Sequence, residues 1–295
     1  MKEKELIFLN KLHYPKIWGS EDWVISAHSN GDCKISNGRY YGMTLSWLWH
    51  NKRELFGNLE GEVFPLLTKI INAKDDLSIQ VHPDDTYAKE NANGELGKTE
   101  CWYIIDCDSD AELILGHNAE TKEEMKNMIE DEKWENLLRR VKINPGDFFY
   151  IPAGTIHGIK KGTVILEIQQ SSDVTYRLYD YGRLDKGRLR DLHIKESIDV
   201  TTIPHVDYKI SNKIEEFKNA KKELLVKDKY FTLYKITIKG IQQFENDRSF
   251  MMVSVIKGEG TIDGIKIEEG LHFIIPASYK EFQLEGKLDL IISTV

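Results

Sequence analysis

The sequence predicts a mainly β fold: two jelly-roll barrels, the N-terminal one carrying a helical insertion. Three observations predict it. Short segments rich in aromatic and β-branched residues alternate with turn residues along most of the 295 residues. A strand-Pro-Ala corner occurs twice, Gly146-Asp147-Phe148-Phe149-Tyr150-Ile151-Pro152-Ala153 being echoed by Gly270-Leu271-His272-Phe273-Ile274-Ile275-Pro276-Ala277. Only the stretch after Thr121 joins a capping box, Thr121-Lys122-Glu123-Glu124, to a sustained helical spacing of apolar residues, from Met125 through Met128, Ile129, Trp134 and Leu137 to Leu138.

Taken in order, residues 1–30 read as an entry segment that packs onto the main body. Tyr40 to Trp49 reads as a strand on its aromatic and Thr content. Phe64 to Ile71 and Leu77 to His82 are two more strands, joined by the polar turn Asn72 to Asp76. Pro83 ends the second, and Asp84 to Ala92 reads as a short helix. Strands resume at Thr99 to Asp106 and Glu112 to Gly116, before the helical insertion at about 118–139. They return at Arg140 to Ile143, Phe148 to Ile151, Ile156 to Ile159, Val164 to Gln170 and Thr175 to Leu178. Leu192 to Val200 reads as a further short helix. The domain organisation expected is a catalytic part over 1–200, a Lys/Glu-rich linker over 201–225, and a degenerate C-terminal repeat over 226–295.

Composition narrows the function classes. Hydrophobic residues at 41% and charged residues at 30% are ordinary for a soluble globular chain. No apolar run is long enough to cross a membrane, and Met1-Lys2-Glu3-Lys4-Glu5 lacks a signal-peptide core. Three cysteines with no CxxC spacing indicate neither a disulfide framework nor a thiolate metal site, which fits the cytoplasm. A net charge of −8 argues against nucleic-acid binding, so an anionic small molecule would need a local cluster of Lys and Arg.

The chemistry gathers around three segments. Pro152-Ala153-Gly154 reverses the chain within a few residues and returns His157 beside the strand it has just left. Alone, such a histidine would read as a core residue bonded to a carbonyl. In Ser78-Ile79-Gln80-Val81-His82, strand alternation puts Ser78, Gln80 and His82 on one face and the β-branched pair on the other. Glu100, in Gly97-Lys98-Thr99-Glu100-Cys101-Trp102, enters the same interior. Two imidazoles, a carboxylate and an amide oxygen suit a divalent ion with room left for substrate.

Four segments, Ser78 to Asp85, Gly97 to Trp102, Phe148 to Ile159 and Leu166 to Arg183, resemble type I mannose-6-phosphate isomerases of the cupin superfamily, in the family's order and in its short bacterial form. The resemblance implies an isomerase that interconverts mannose 6-phosphate and fructose 6-phosphate through a cis-enediol. It implies one Zn²⁺ per chain on Gln80, His82, Glu100 and His157, with Arg177 catalytic, Glu167 lining the pocket and Lys98 beside the metal. Proton transfer between C1 and C2 needs a group whose pKa can move, which leaves Glu167, Lys98 and water at the metal. A permanently charged Arg177 is better suited to steadying an oxyanion, the alternative being an ion pair with Asp173 or Asp180. For the phosphate, Arg183 and Ser78 are the candidates, with Lys98 as a third, while the later members of the basic run (Lys186, Arg188, Arg190) read as a solvated loop. The competing readings are a non-haem iron oxygenase on the same two-His-one-carboxylate set and a cupin that binds without turnover.

Overall fold

The computed structural model describes residues 5–208 and 213–295, and strands dominate it. The chain forms two compact units, one of Met1–Leu12, Trp23–Leu67 and Ile210–Val295, the other of His13–Asp22 and Thr68–Lys209.

This division differs from the expected break after residue 200. The strand Ile7–Asn10 pairs with His272–Ile275 on one side and with Lys34–Ile35 on the other, so the N-terminal segment completes the C-terminal sheet. The expected linker is also different. Residues 209–212 of it lie outside the described residues, and Lys213–Glu216 and Ala220–Lys227 are paired strands. Their Lys/Glu content belongs to a sheet margin: Glu215 faces Lys222, and all four residues of Lys213–Glu216 are exposed. Charged side chains there discourage pairing with a foreign strand.

In the first unit the long strands Thr232–Glu245, Met251–Ile262 and Glu281–Thr294 pair side by side. Their alternating inner residues, among them Ile238, Val255, Leu284 and Leu290, form one buried apolar cluster. The expected strand Tyr40 to Trp49 is instead the helix Leu45–Asn51, preceded by a turn of 3₁₀ helix at Gly38–Tyr40. Thr44 is the cause. Its hydroxyl accepts the amide N–H of Trp47 at 3.2 Å, an N-cap, and Leu45, Leu48 and Trp49 then bury one helical face.

The second unit carries the chemistry-bearing segments on two sheets. A five-stranded sheet runs in the order Leu138–Lys142, Glu112–His117, His157–Ile159, Ile79–Val81, Tyr176–Tyr179. A six-stranded sheet includes Phe148–Ile151, Glu100–Cys107 and Thr163–Gln170 as neighbours. Ile79 and Val81 point into a cluster with Met125, Ile129 and Leu137. Ile104, Leu113, Ile159 and Ile165 pack with Trp102 in another. The opposite, polar faces of these strands are thereby left to a cavity.

The stretch after Thr121 is helical in two pieces, Lys122–Glu130 and Trp134–Leu137. Glu132, at φ +56°, interrupts it, and Leu138 already belongs to a strand. The Thr121 cap is present, its hydroxyl accepting the Glu124 amide at 3.1 Å, while the Glu124 carboxylate reaches back to the amide of Glu120.

Candidate active site

The corner after Phe148–Ile151 positions three segments with candidate ligands at once. Gly154 takes φ +86°, and a Cβ there would stand 2.6 Å from Thr202 Oγ1 and 2.9 Å from the Val200 carbonyl, so only glycine fits. Its amide donates to the carbonyl of His82 at 2.8 Å, and the Ala153 amide donates to Thr99 Oγ1 at 3.2 Å. The corner is therefore tied to the segments that carry His82 and Glu100. His157 emerges from it opposite Gln80 across an antiparallel pair.

Both imidazoles are oriented from behind. His82 Nδ1 lies 2.8 Å from the Val174 carbonyl and His157 Nδ1 lies 2.9 Å from the Thr155 carbonyl. A carbonyl only accepts, so each Nδ1 carries the proton and each Nε2 keeps its lone pair. The two rings are 4.8 Å apart, and the Trp102 indole stands edge-on to His157 at 5.3 Å. Between them is Glu100, fully buried, with Oε1 at 3.3 Å from His157 Nε2 and Oε2 at 3.5 Å from His82 Nε2. Burial, the Lys98 charge and the neighbouring His157 hold His82 well below its ordinary pKa, and burial takes His157 down to about 4. Both are neutral at pH 7.

His157 Nε2 and both Glu100 oxygens are buried without a hydrogen bond. Lys98 Nζ meets Glu100 Oε2 at 2.9 Å as an ion pair that lacks hydrogen-bond geometry, and lies 3.1 Å from His82 Nε2. Leaving such acceptors buried without hydrogen bonds is costly. His82, Glu100 and His157, with ligand atoms all within 4.8 Å, are the one such group among the described residues able to hold a metal ion. Lone pairs converging from two imidazoles and a carboxylate fit a divalent ion, and Gln80 is beside them.

The adjoining cavity encloses about 330 Å³. Ser78, Gln80, Lys98, Glu167 and Arg177 line it. Glu167 Oε1 accepts from Trp102 Nε1 at 3.1 Å, and Oε2 forms an ion pair with Lys69 at 3.4 Å. Burial raises the pKa of Glu167. Lys69, equally buried, stays charged: burial opposes the charge, but Glu167, Glu21 and Asp173 outweigh it. Arg177 donates from Nη1 to the Asp191 carbonyl at 2.9 Å and has no hydrogen bond at Nε. Its register partner is Gln80.

Arg183 is a correction. It is absent from the cavity wall: Nη2 donates to Asp180 Oδ1 at 2.6 Å, Nη1 to the Asp76 carbonyl, and the guanidinium lies over the Tyr181 ring at 5.1 Å. Its neighbour in the basic run, Arg190, lines the cavity instead and shares Asp180 through Nε–Oδ2 at 2.7 Å. Asp180 therefore serves Arg183 and Arg190. Sequence reasoning also missed Lys69, Glu21 and His193 in the wall, and weighed Asp173, which lines it too, only as an ion-pair partner for Arg177. Lys69 had a readable signal, a single charge inside the apolar strand Leu66-Leu67-Thr68-Lys69-Ile70-Ile71.

Residues 15–106 match the catalytic domain of type I phosphomannose isomerase, and residues 221–295 match the cupin domain of mannose-6-phosphate isomerase. Mannose-6-phosphate isomerase ManA of Bacillus subtilis is 47% identical over 98% of this chain and 98% of its own length. This chain belongs to the type I phosphomannose isomerases. The mannose-6-phosphate isomerase of Streptococcus mutans is 44% identical over 98% of each chain. A crystal structure of the mannose 6-phosphate isomerase from Bacillus subtilis superposes with a TM-score of 0.97 at 46% identity, covering 98% of this chain and 99% of that one. A putative mannosephosphate isomerase from Archaeoglobus fulgidus shares the fold at a TM-score of 0.77 and 19% identity.

Proposed function

We propose that this isomerase interconverts mannose 6-phosphate and fructose 6-phosphate through a cis-enediol, with one Zn²⁺ held by Gln80, His82, Glu100 and His157. The observation that carries the reading is the convergence of two neutral Nε2 atoms on Glu100 beside the cavity, in a chain of this family. A divalent ion bound there supplies Lewis acidity toward the sugar's oxygens.

The protein's own groups do the rest. Glu167 Oε2 takes the proton from one carbon and returns it to the other, a task suited to a carboxyl whose pKa burial has raised. Lys98, next to the ligands, moves a proton among the sugar oxygens. Arg177 brings a fixed positive charge and a free Nε donor to the developing oxyanion. Ser78 and the cationic wall around Arg190 receive the phosphate. The fold reading is two jelly-roll barrels of cupin type, with the helices of 118–139 as an insertion and the C-terminal repeat degenerate. In that repeat Glu281 falls where the first corner carries His157, and it is exposed at the start of its strand. The place of work is the cytoplasm.

The test is turnover of mannose 6-phosphate by chelated protein before and after Zn²⁺ is returned. Activity restored by zinc supports the reading. Oxygen consumption with Fe(II) and no isomerisation would replace it with the oxygenase reading.

A further inference from the structure

His193 precedes the helix Ile194–Val200 and lines the same cavity as Arg177. The two residues are joined twice. The amide N–H of His193 donates to the Arg177 carbonyl at 2.7 Å, and the amide N–H of Arg177 donates to His193 Nδ1 at 3.2 Å. A ring nitrogen that accepts from an amide must hold a lone pair, so the proton of the imidazole sits on Nε2. Protonating Nδ1 would place two donors face to face and break the bond. The Arg177 backbone thereby fixes both the tautomer and the direction of the ring.

Arg177 and Arg190 already bring two guanidinium groups to this wall, close enough for each to feel the other's charge. Another cation beside them would add repulsion. A neutral N–H donor adds direction without charge.

We propose that His193 is a substrate-binding residue: a neutral imidazole, locked in its Nε2–H form, that donates to an oxygen of the sugar phosphate beside Arg177. The proposal rests on the isomerase reading above for its ligand. Two isosteres separate the ring's two nitrogens. In His193→Asn the side-chain carbonyl can stand in for Nδ1 and keep the bond to the Arg177 amide, but nothing replaces Nε2–H. In His193→Gln the amide nitrogen can reach the place of Nε2–H.

The experiment is steady-state kinetics on the zinc-loaded full chain, with zinc content checked, plus calorimetric binding of fructose 6-phosphate. His193→Asn is expected to raise KM and Kd about tenfold, the loss of one hydrogen bond, with zinc content and kcat little changed. His193→Gln is expected to remain within about threefold of the parent in both. Asn at parental values with Gln impaired would overturn the proposal and make His193 a strut for the Arg177 backbone. Parental values in both variants would also overturn it. Calorimetry needs no turnover, so an inert parent would sink the isomerase reading alone, while the binding ratios still decide His193.

Discussion

Lys98 Nζ stands 2.9 Å from Glu100 Oε2, so an ammonium occupies the edge of the group proposed to hold the metal. It is also 3.1 Å from His82 Nε2. A divalent ion and Lys98 compete for the same lone pairs. Lys98→Gln should therefore bind zinc at least as tightly as the parent in a chelator competition. Its kcat should fall by about 10²-fold or more, the usual worth of a positioned proton donor. Weaker zinc binding in this variant would mean that Lys98 supports the ligands and does not compete with them.

His157→Ala removes the proposed ligand that the Pro-Ala-Gly corner delivers. Zinc affinity should drop by more than about 10²-fold and isomerase activity with it. The far-ultraviolet circular dichroism should be preserved, because the clusters around Trp102 and around Met125 do not depend on a metal. Elemental analysis of the parent should give one zinc per chain. A second tightly bound ion would point to a site among the residues of the C-terminal repeat.

The convergence of His82, Glu100 and His157 was legible in the sequence for a physical reason. Alternation along Ile79–Val81 separates an apolar face from a polar one, and a Pro-Ala-Gly turn has few conformations, so local rules suffice to bring Gln80, His82 and His157 inward. Glu100, at the head of its own strand, is legible in the same way. Arg190 was not, because its environment is made by Asp180, ten residues earlier, and by a cavity built from several strands. A basic run looks solvated until tertiary contacts show which member turns inward. Thr44 misled for a different reason: Thr serves both strands and helix N-caps, and only the burial of Leu45, Leu48 and Trp49 decides between them. The division into units was hidden too, because the pairing of Ile7–Asn10 with His272–Ile275 spans nearly the whole chain and leaves no local trace.

Asp180 predicts a pH dependence of stability. Burial pushes its pKa up, but hydrogen bonds and charge from Arg190 and Arg183 outweigh that and hold it below the ordinary 3.8. The unfolded chain thus binds the proton more readily than the folded one. The contribution is full above about pH 4 and is lost as pH falls through the lower folded value. Asp180→Asn should cost about 1–3 kcal/mol in urea unfolding at pH 7. The gap should persist at pH 5 and narrow at pH 3, where the parent carboxylate is itself being protonated. An equal gap at pH 7 and pH 3 would show that the two arginines do not depend on the charge of Asp180.

Arg177→Lys tests the assignment at the centre of the proposed chemistry. Arg177 is anchored by its Nη1 bond to the Asp191 carbonyl, and its Nε faces no partner, so part of the guanidinium fork is held while part remains available. A lysine keeps the charge but has no planar fork, and it cannot hold the Asp191 carbonyl and present a second donor in the same plane. Loss of a preorganised donor at a developing oxyanion typically lowers kcat by about 10²–10³-fold. The expected result is a kcat reduced to that extent, a KM within about threefold of the parent, and unchanged zinc content. If Arg177 instead binds the phosphate, the loss will fall on KM and leave kcat largely intact. A variant with both constants unchanged would reduce Arg177 to a strut against the Asp191 carbonyl. Steady-state kinetics on this one protein separates the three roles, and a raised KM alone would move Arg177 to the other end of the sugar.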